Sequence, residues 1–234
     1  MEEMGSWRLK ISQRWEGIVK PSRKLFVGLL CLALVALVSV EVAAYSHPLS
    51  ETKVRDAYFL GTDSARSAQF LSDYVHNFQP NNPGGPYVAQ IEIRTPYAQV
   101  VAKSRQQSIG YSAQQAEEDY KQTGDLVQVR VEILYPVTQP LPVQPAPACA
   151  GVQRMNDALA CFSDFSFRFA QNKSLSPVTT YGTPIYSVGQ GSFIGGDLWF
   201  VFPAAAVASV PLRVMVTRSG VRRATSSFDL STLL

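Results

Sequence analysis

A continuous run of sixteen uncharged residues, LFVGLLCLALVALVSV at 25–40, constrains this chain more than any other feature. A membrane-spanning helix needs about 20 apolar residues, while the apolar core of a cleavable signal has about 7–15. Glu41 interrupts the run, and Val42, Ala43, Ala44 and Tyr45 continue it. Residues 25–45 are therefore expected to cross a lipid bilayer once as a transmembrane helix, with Glu41 at the interface. The leader 1–24 carries Arg8, Lys10, Arg14, Lys20, Arg23 and Lys24 against Glu2, Glu3 and Glu16. Positive flanks stay on the cytoplasmic side, which places the N-terminus inside and everything after Tyr45 outside. Trp7, Leu9, Ile11, Trp15 and Ile18 recur near helical spacing in that leader, a pattern that suits the inner membrane face as well as a solvated leader.

The rival reading is a secretory signal cleaved near Ala44, since Val42-Ala43-Ala44 offers the small residues that signal peptidase accepts. The long leader and the charge at Glu41 favour an uncleaved anchor. Cys31 lies early in the apolar run behind Leu30, an arrangement that suits a small lipid-facing residue and not a lipoprotein cysteine.

From Ser46 onward the chain has 15 Lys and Arg against 14 Asp and Glu. So near-neutral a domain has no overall basic field for nucleic acid, and the aromatic-basic motifs of RNA-binding modules are missing. Arg222-Arg223 reads as a solvated strand face. Two cysteines, Cys149 and Cys161, lie in this part. An extracytoplasmic compartment permits a disulfide, so these two are the candidate bridge. Without a CxxC motif or a neighbouring histidine they make no metal site.

Apolar periodicity divides the rest of the chain. Residues 46–80 are expected to form a short stalk, broken by Pro48, and then helices. The first of these runs over 51–60 and stops at Gly61. The second is capped by Thr62 or Asp63 and buries Ala68, Leu71, Tyr74, Val75 and Phe78. The turn cluster Pro80, Asn81, Asn82, Pro83, Gly84, Gly85 precedes a β-rich domain at 84–234. In 87–95, Tyr87, Ala89, Ile91 and Ile93 alternate with mostly polar residues, and in 127–135 so do Val127, Val129, Val131, Ile133 and Tyr135. Between these strands, Thr95-Pro96 opens one helix, and the Ser112…Gln115 capping pattern opens another that ends at Gly124. Five prolines in 136–148 favour an extended crossing, with an aromatic docking groove as the functional alternative. A short helical stretch is expected at 155–159, and further strands at 165–169, 178–188 (interrupted by Gly182 and Pro184), 198–202, 212–218 and 221–230. Ser219-Gly220 supplies the turn between the last two. The expected class is mainly β with added helices (α+β): a seven-stranded β-sandwich-like ectodomain with an inserted helical hairpin, behind one N-terminal transmembrane helix.

No pattern of catalysis appears in the sequence. Of two histidines, His47 lies on the stalk, and His76 sits three residues after Asp73, where a surface ion pair on a helix is the plain reading. An enzyme with an unfamiliar site around His76 is the least favoured hypothesis. The stretch Gly189-Gln190-Gly191-Ser192-Phe193-Ile194-Gly195 fails both the nucleophile elbow and the dinucleotide pattern, and reads as a loop with Gly195-Gly196 as its turn. Glu117, Glu118 and Asp119 are consecutive on a helix and point in different directions. Asn172-Lys173-Ser174 is a glycosylation sequon in a eukaryotic host. No cofactor, metal or catalytic residue is assigned.

These features point to a single-pass envelope protein whose noncatalytic domain works through contact with a membrane or envelope protein. It would lie in the plasma membrane facing the periplasm or the cell exterior. The alternative is a ligand- or glycan-binding module using Tyr181, Tyr186, Gly191, Phe193 and Trp199, although Trp199, between Leu198 and Phe200, is expected in the core.

Overall fold

The computed structural model describes residues 45–80, 85–107, 110–136, 157–188 and 193–234. The leader, residues 25–44 of the expected span, most of the proline-rich crossing, Cys149 and Gly191 lie outside them. Among the described residues no helix is long and apolar enough to cross a membrane.

The fold is mixed α+β, with four α-helices and antiparallel sheets among the described residues. The strands are β1 (Val75–Asn77), β2 (Tyr87–Arg94), β3 (Leu126–Leu134), β4 (Phe165–Ala170), β5 (Ser174–Leu175), β6 (Thr179–Tyr186), β7 (Phe193–Pro203), β8 (Pro211–Arg218) and β9 (Val221–Asp229). One sheet has the order β1-β2-β3-β7-β6 and the other β5-β4-β8-β9. All seven segments with strand periodicity are strands, and β1 and β5 are added to them.

Alternation decides which side of each strand is covered. Val127, Val129, Val131 and Ile133 of β3 are all buried, and the residues between them are only partly so. On β2 a bulge between Val88 and Gln90 turns Val88 inward together with Ile91 and Ile93. Ala89, expected on the apolar face, is the residue that the bulge displaces. The second sheet contributes Phe165, Phe169, Val214, Val216 and Phe228 to the same apolar cluster. Phe169 meets Phe200 and Phe202 of β7 with ring centroids 4.8 and 5.1 Å apart, and Phe167 lies 4.7 Å from Phe200.

The helices are α1 (Glu51–Thr62), α2 (Ser64–Ser72), α3 (Pro96–Gln106) and α4 (Ala113–Thr123). Ser50, Asp63, Thr95 and Ser112 cap them, each side-chain oxygen accepting from backbone N–H groups of the first turn. Only half of the capping box at α4 forms, because the Gln115 side chain donates to Asp119 instead. The two helices between β2 and β3 pack chiefly on α1, so the expected hairpin is completed by a helix from before the sheet.

Four expectations are corrected here. Gly61 does not end α1. It lies within the helix where α3 crosses, and a Cβ there would come within 2.5 Å of the Ser104 Cβ and 2.6 Å of the Val101 carbonyl. α2 ends at Ser72, and Tyr74, Val75 and Phe78 belong to the chain around edge strand β1, whose backbone needs are met by β2. Gly195-Gly196 is not a turn but part of β7, and Gly182 does not interrupt β6. A 3-10 segment, Asp157–Phe162, lies against these glycines: a Cβ on Gly182 would meet the Leu159 backbone at 2.8 Å, and one on Gly196 the Phe162 ring at 2.9 Å. Finally, Tyr45, expected as the last residue of the span, is buried in the domain, as is Leu49 of the stalk. Tyr45 donates its N–H to Leu230 and its hydroxyl to the Ala204 carbonyl, and the Leu49 N–H donates to the Tyr120 hydroxyl.

Candidate functional site

The outer face of the five-stranded sheet carries the densest set of functional side chains. Its geometry follows from strand register. Glu92 of β2 stands opposite Arg130 of β3, Arg130 opposite Trp199 of β7, and Trp199 opposite Tyr181 of β6. These four residues form one row across four strands. The neighbouring row is Gln90, Glu132, Asp197 and Thr183. Directly opposite residues in antiparallel strands have Cβ atoms about 4.5–5.5 Å apart, so each row is in side-chain contact.

Arg130 is the centre of the charges. Its Nε lies 2.8 Å from Glu92 Oε2, an ion-pair contact off the line of the N–H, and its Nη1 lies 3.2 Å from Asp197 Oδ1 and 3.5 Å from Glu132 Oε2. Its Nη2 donates to Gln90 Oε1. Arg94 reaches the other Glu92 oxygen at 2.5 Å. The Glu92 side chain is only 9% exposed and that of Arg130 18%, so this network is largely withdrawn from water. Burial raises the Asp197 carboxyl above the usual aspartate value, against the opposing pull of Arg130. Burial likewise raises Glu132, again opposed by Arg130 and reinforced by Asp197 and Glu92. Two cations thus hold three carboxylates on one face.

Trp199 roofs this network. The Arg94 guanidinium carbon lies 4.8 Å from its ring centroid and that of Arg130 6.0 Å, within the reach of cation–π attraction. Tyr181 lies against the ring at 6.1 Å, the two planes inclined by 12°. The expectation of a core Trp199 is corrected: its neighbours Leu198 and Phe200 are buried and Trp199 faces out, half-covered. Period-2 alternation permits either face, and Phe167 and Phe169 claim Phe200 for the interior.

The five residues proposed as one ligand surface are divided. Tyr181 and Trp199 share the outer face. Phe193 packs toward the core against Phe162 and Tyr135, with Tyr186 edge-on to it at 6.1 Å. A register shift at Ile185/Tyr186 separates the two pairs. Gly191 is outside the described residues. Sequence reasoning missed Glu92, Arg94, Arg130, Glu132 and Asp197, whose only signal was polar alternation on β2, β3 and β7.

The remaining candidates lie elsewhere. His76 is on β1, not a helix, and stacks on Phe228 at 4.5 Å, so the Asp73–His76 helical pair does not form. Asp119 holds Lys103 at 2.7 Å and accepts from Tyr111. Lys103 is the main cause of its lowered carboxyl pKa. Among the described residues no group of three His, Cys, Asp or Glu side chains could hold a metal ion. Cys161 is disulfide-bonded, and Cys149, its expected partner, lies outside the described residues. No protein-family model, curated protein or solved structure matches this chain.

Proposed function

We propose that this chain is a single-pass plasma-membrane protein whose noncatalytic extracytoplasmic domain, a β-sandwich, assembles with another membrane or envelope protein through the outer face of its five-stranded sheet. The anchor is residues 25–44, the N-terminus is cytoplasmic, and Cys149 pairs with Cys161. What supports the assembly role is Trp199, an outward aromatic anchor flanked by Arg94, Arg130 and Tyr181. Tryptophan, tyrosine and arginine dominate the residues that carry binding energy at protein interfaces. A network already largely paired within the chain presents a polar rim and leaves the outer indole face to the partner.

The test is a photo-crosslinking residue at Tyr181 in the full chain, in its own membranes. A discrete crosslinked protein, absent when the same probe replaces exposed Gln114 on α4, supports the reading. No crosslink from Tyr181, or an identical pattern from both sites, refutes it. The Tyr181–Trp199 pair also favours a second reading, a stacking platform for a sugar ring. Carbohydrate binding abolished by Trp199→Ala would move the assignment there.

A further inference from the structure

The outer face of the four-stranded sheet is a second surface of different chemistry. Arg168 of β4 and Arg213 of β8 are exposed, and so are Arg222 and Arg223 of β9. Register puts them on one face. Arg168 lies opposite Met215, itself opposite Thr225. One step along, Arg213 lies opposite Ser227, and one step the other way Thr217 faces Arg222. A bulge in this last row, between Val216 and Thr217, sets two β9 residues against one, and both Arg222 and Arg223 are exposed. Strands about 4.8 Å apart and a rise of about 3.3 Å per residue place these guanidinium stems within an area of roughly 10 by 14 Å.

None of the four forms an ion pair among the described residues. Two carboxylates flank the ends of this sheet. Asp229 accepts from its own turn at Ser231, and Asp164 is held by Arg218. The stretches 81–84, 108–109, 137–156 and 189–192 contain no Asp or Glu. The rest of the face includes Ser166, Met215, Thr217, Thr225 and Ser227, with Asp229 at its end opposite Pro211, and no aromatic residue.

We infer that this face docks on the anionic headgroups of a phospholipid bilayer, an inference that rests on the anchor reading. Four arginines without an ion pair, gathered on one antiparallel face, match a surface of phosphates in charge. An acidic protein is the less suitable occupant, because the face lacks the aromatic anchors that Trp199 supplies on the opposite sheet. The chain enters the domain at one end of this sheet: Tyr45 is bonded to Leu230 and Ser209, just beyond β9 and before β8. Each surface arginine near an anionic bilayer is worth about fivefold in partitioning.

The test places the full chain in nanodiscs of phosphatidylcholine alone or mixed with phosphatidylglycerol. Arginine modification by phenylglyoxal is then read residue by residue. Arg168, Arg213, Arg222 and Arg223 are expected to react about fivefold more slowly in the anionic discs. Exposed Arg55 and Arg105 should react alike in both. Molar salt, where the Debye length is about 3 Å, should abolish the difference. In Arg168→Gln/Arg213→Gln, protection of Arg222 and Arg223 should fall as well; if that variant does not fold, the wild-type pattern decides alone. Equal reactivity in both discs overturns the inference. So does protection found only in native membranes and lost with a co-purifying acidic protein. A chain that stays out of the discs refutes the anchor, and flotation of that chain on vesicles of the same two compositions still decides the face: flotation on anionic vesicles alone supports it, and flotation on neither overturns it.

Discussion

Arg130→Met keeps most of the arginine stem and removes the charge that holds Glu92, Glu132 and Asp197 together. The three carboxylates lie 2.8, 3.5 and 3.2 Å from the guanidinium in the wild type. A pair of unit charges at 4 Å is worth about 4 kcal/mol at an effective dielectric of 20, and breaking a buried pair costs about 3–5 kcal/mol. Here Arg94 remains to hold Glu92, and Glu132 and Asp197 are 22% and 20% exposed, which moves the expected cost to about 2–4 kcal/mol. For a domain of this size that is a fall in Tm of roughly 4–16 °C. Denaturant unfolding of the full chain in detergent at pH 7 measures it. The loss has a pH signature. Asp197 and Glu132 already hold their protons more tightly when folded than when unfolded, and losing Arg130 strengthens that bias. The variant's deficit should therefore grow as pH rises through their folded pKa values. It should shrink toward zero below about pH 4, where both states are protonated. A loss under about 1 kcal/mol, typical of an exposed pair, or a loss independent of pH, would refute the view of Arg130 as the buried keystone of this face.

Glu132→Gln tests the opposite sign: its raised carboxyl pKa makes the charged form a cost, so the variant should match or exceed wild-type stability at pH 7, with any advantage gone by about pH 4. Gly61→Ala should lower stability by about 1–3 kcal/mol in thermal or urea unfolding, because the clash with Ser104 and the Val101 carbonyl exceeds the ordinary helix gain from alanine of about 0.5–1 kcal/mol. Cys161→Ser removes a disulfide and should cost about 2–4 kcal/mol, with a matching free thiol at Cys149 by mass spectrometry if those two are the bridged pair.

Legibility in this sequence tracked how local the deciding contact is. β3 could be read residue by residue because Val127, Val129, Val131 and Ile133 alternate without interruption, and the helix starts because Asp63, Thr95 and Ser112 bond within their own first turns. Tyr74, Val75 and Phe78 extend the helical spacing of α2, yet β2 recruits Val75–Asn77 as an edge strand, a contact across about fifteen residues of chain that the spacing does not encode. The glycines at 182, 195 and 196 resemble loop residues. Within the strands, Gly182 and Gly196 leave room for a 3-10 segment, and a side chain at Gly195 would strike the Ile133 carbonyl. The candidate site was the least legible part. Glu92, Arg130, Trp199 and Tyr181 are ordinary strand residues in isolation, and only the register of four strands makes them a row. Trp199 and Phe200 are both aromatic, so periodicity could not say which turns inward. That choice belongs to Phe167 and Phe169 of the other sheet.

The most direct test of the central claim is quantitative affinity capture of the full-length chain from gently solubilised native membranes, wild type beside Trp199→Ala, with partner stoichiometry read by mass spectrometry. Loss of the half-exposed indole should leave the fold intact, checked by the same unfolding transition. The account expects a membrane or envelope protein recovered in fixed ratio with the wild type and reduced at least about tenfold with the variant, the scale of an interface hot spot. A wild-type chain recovered alone, or a partner retained equally by a folded Trp199→Ala chain, would contradict it.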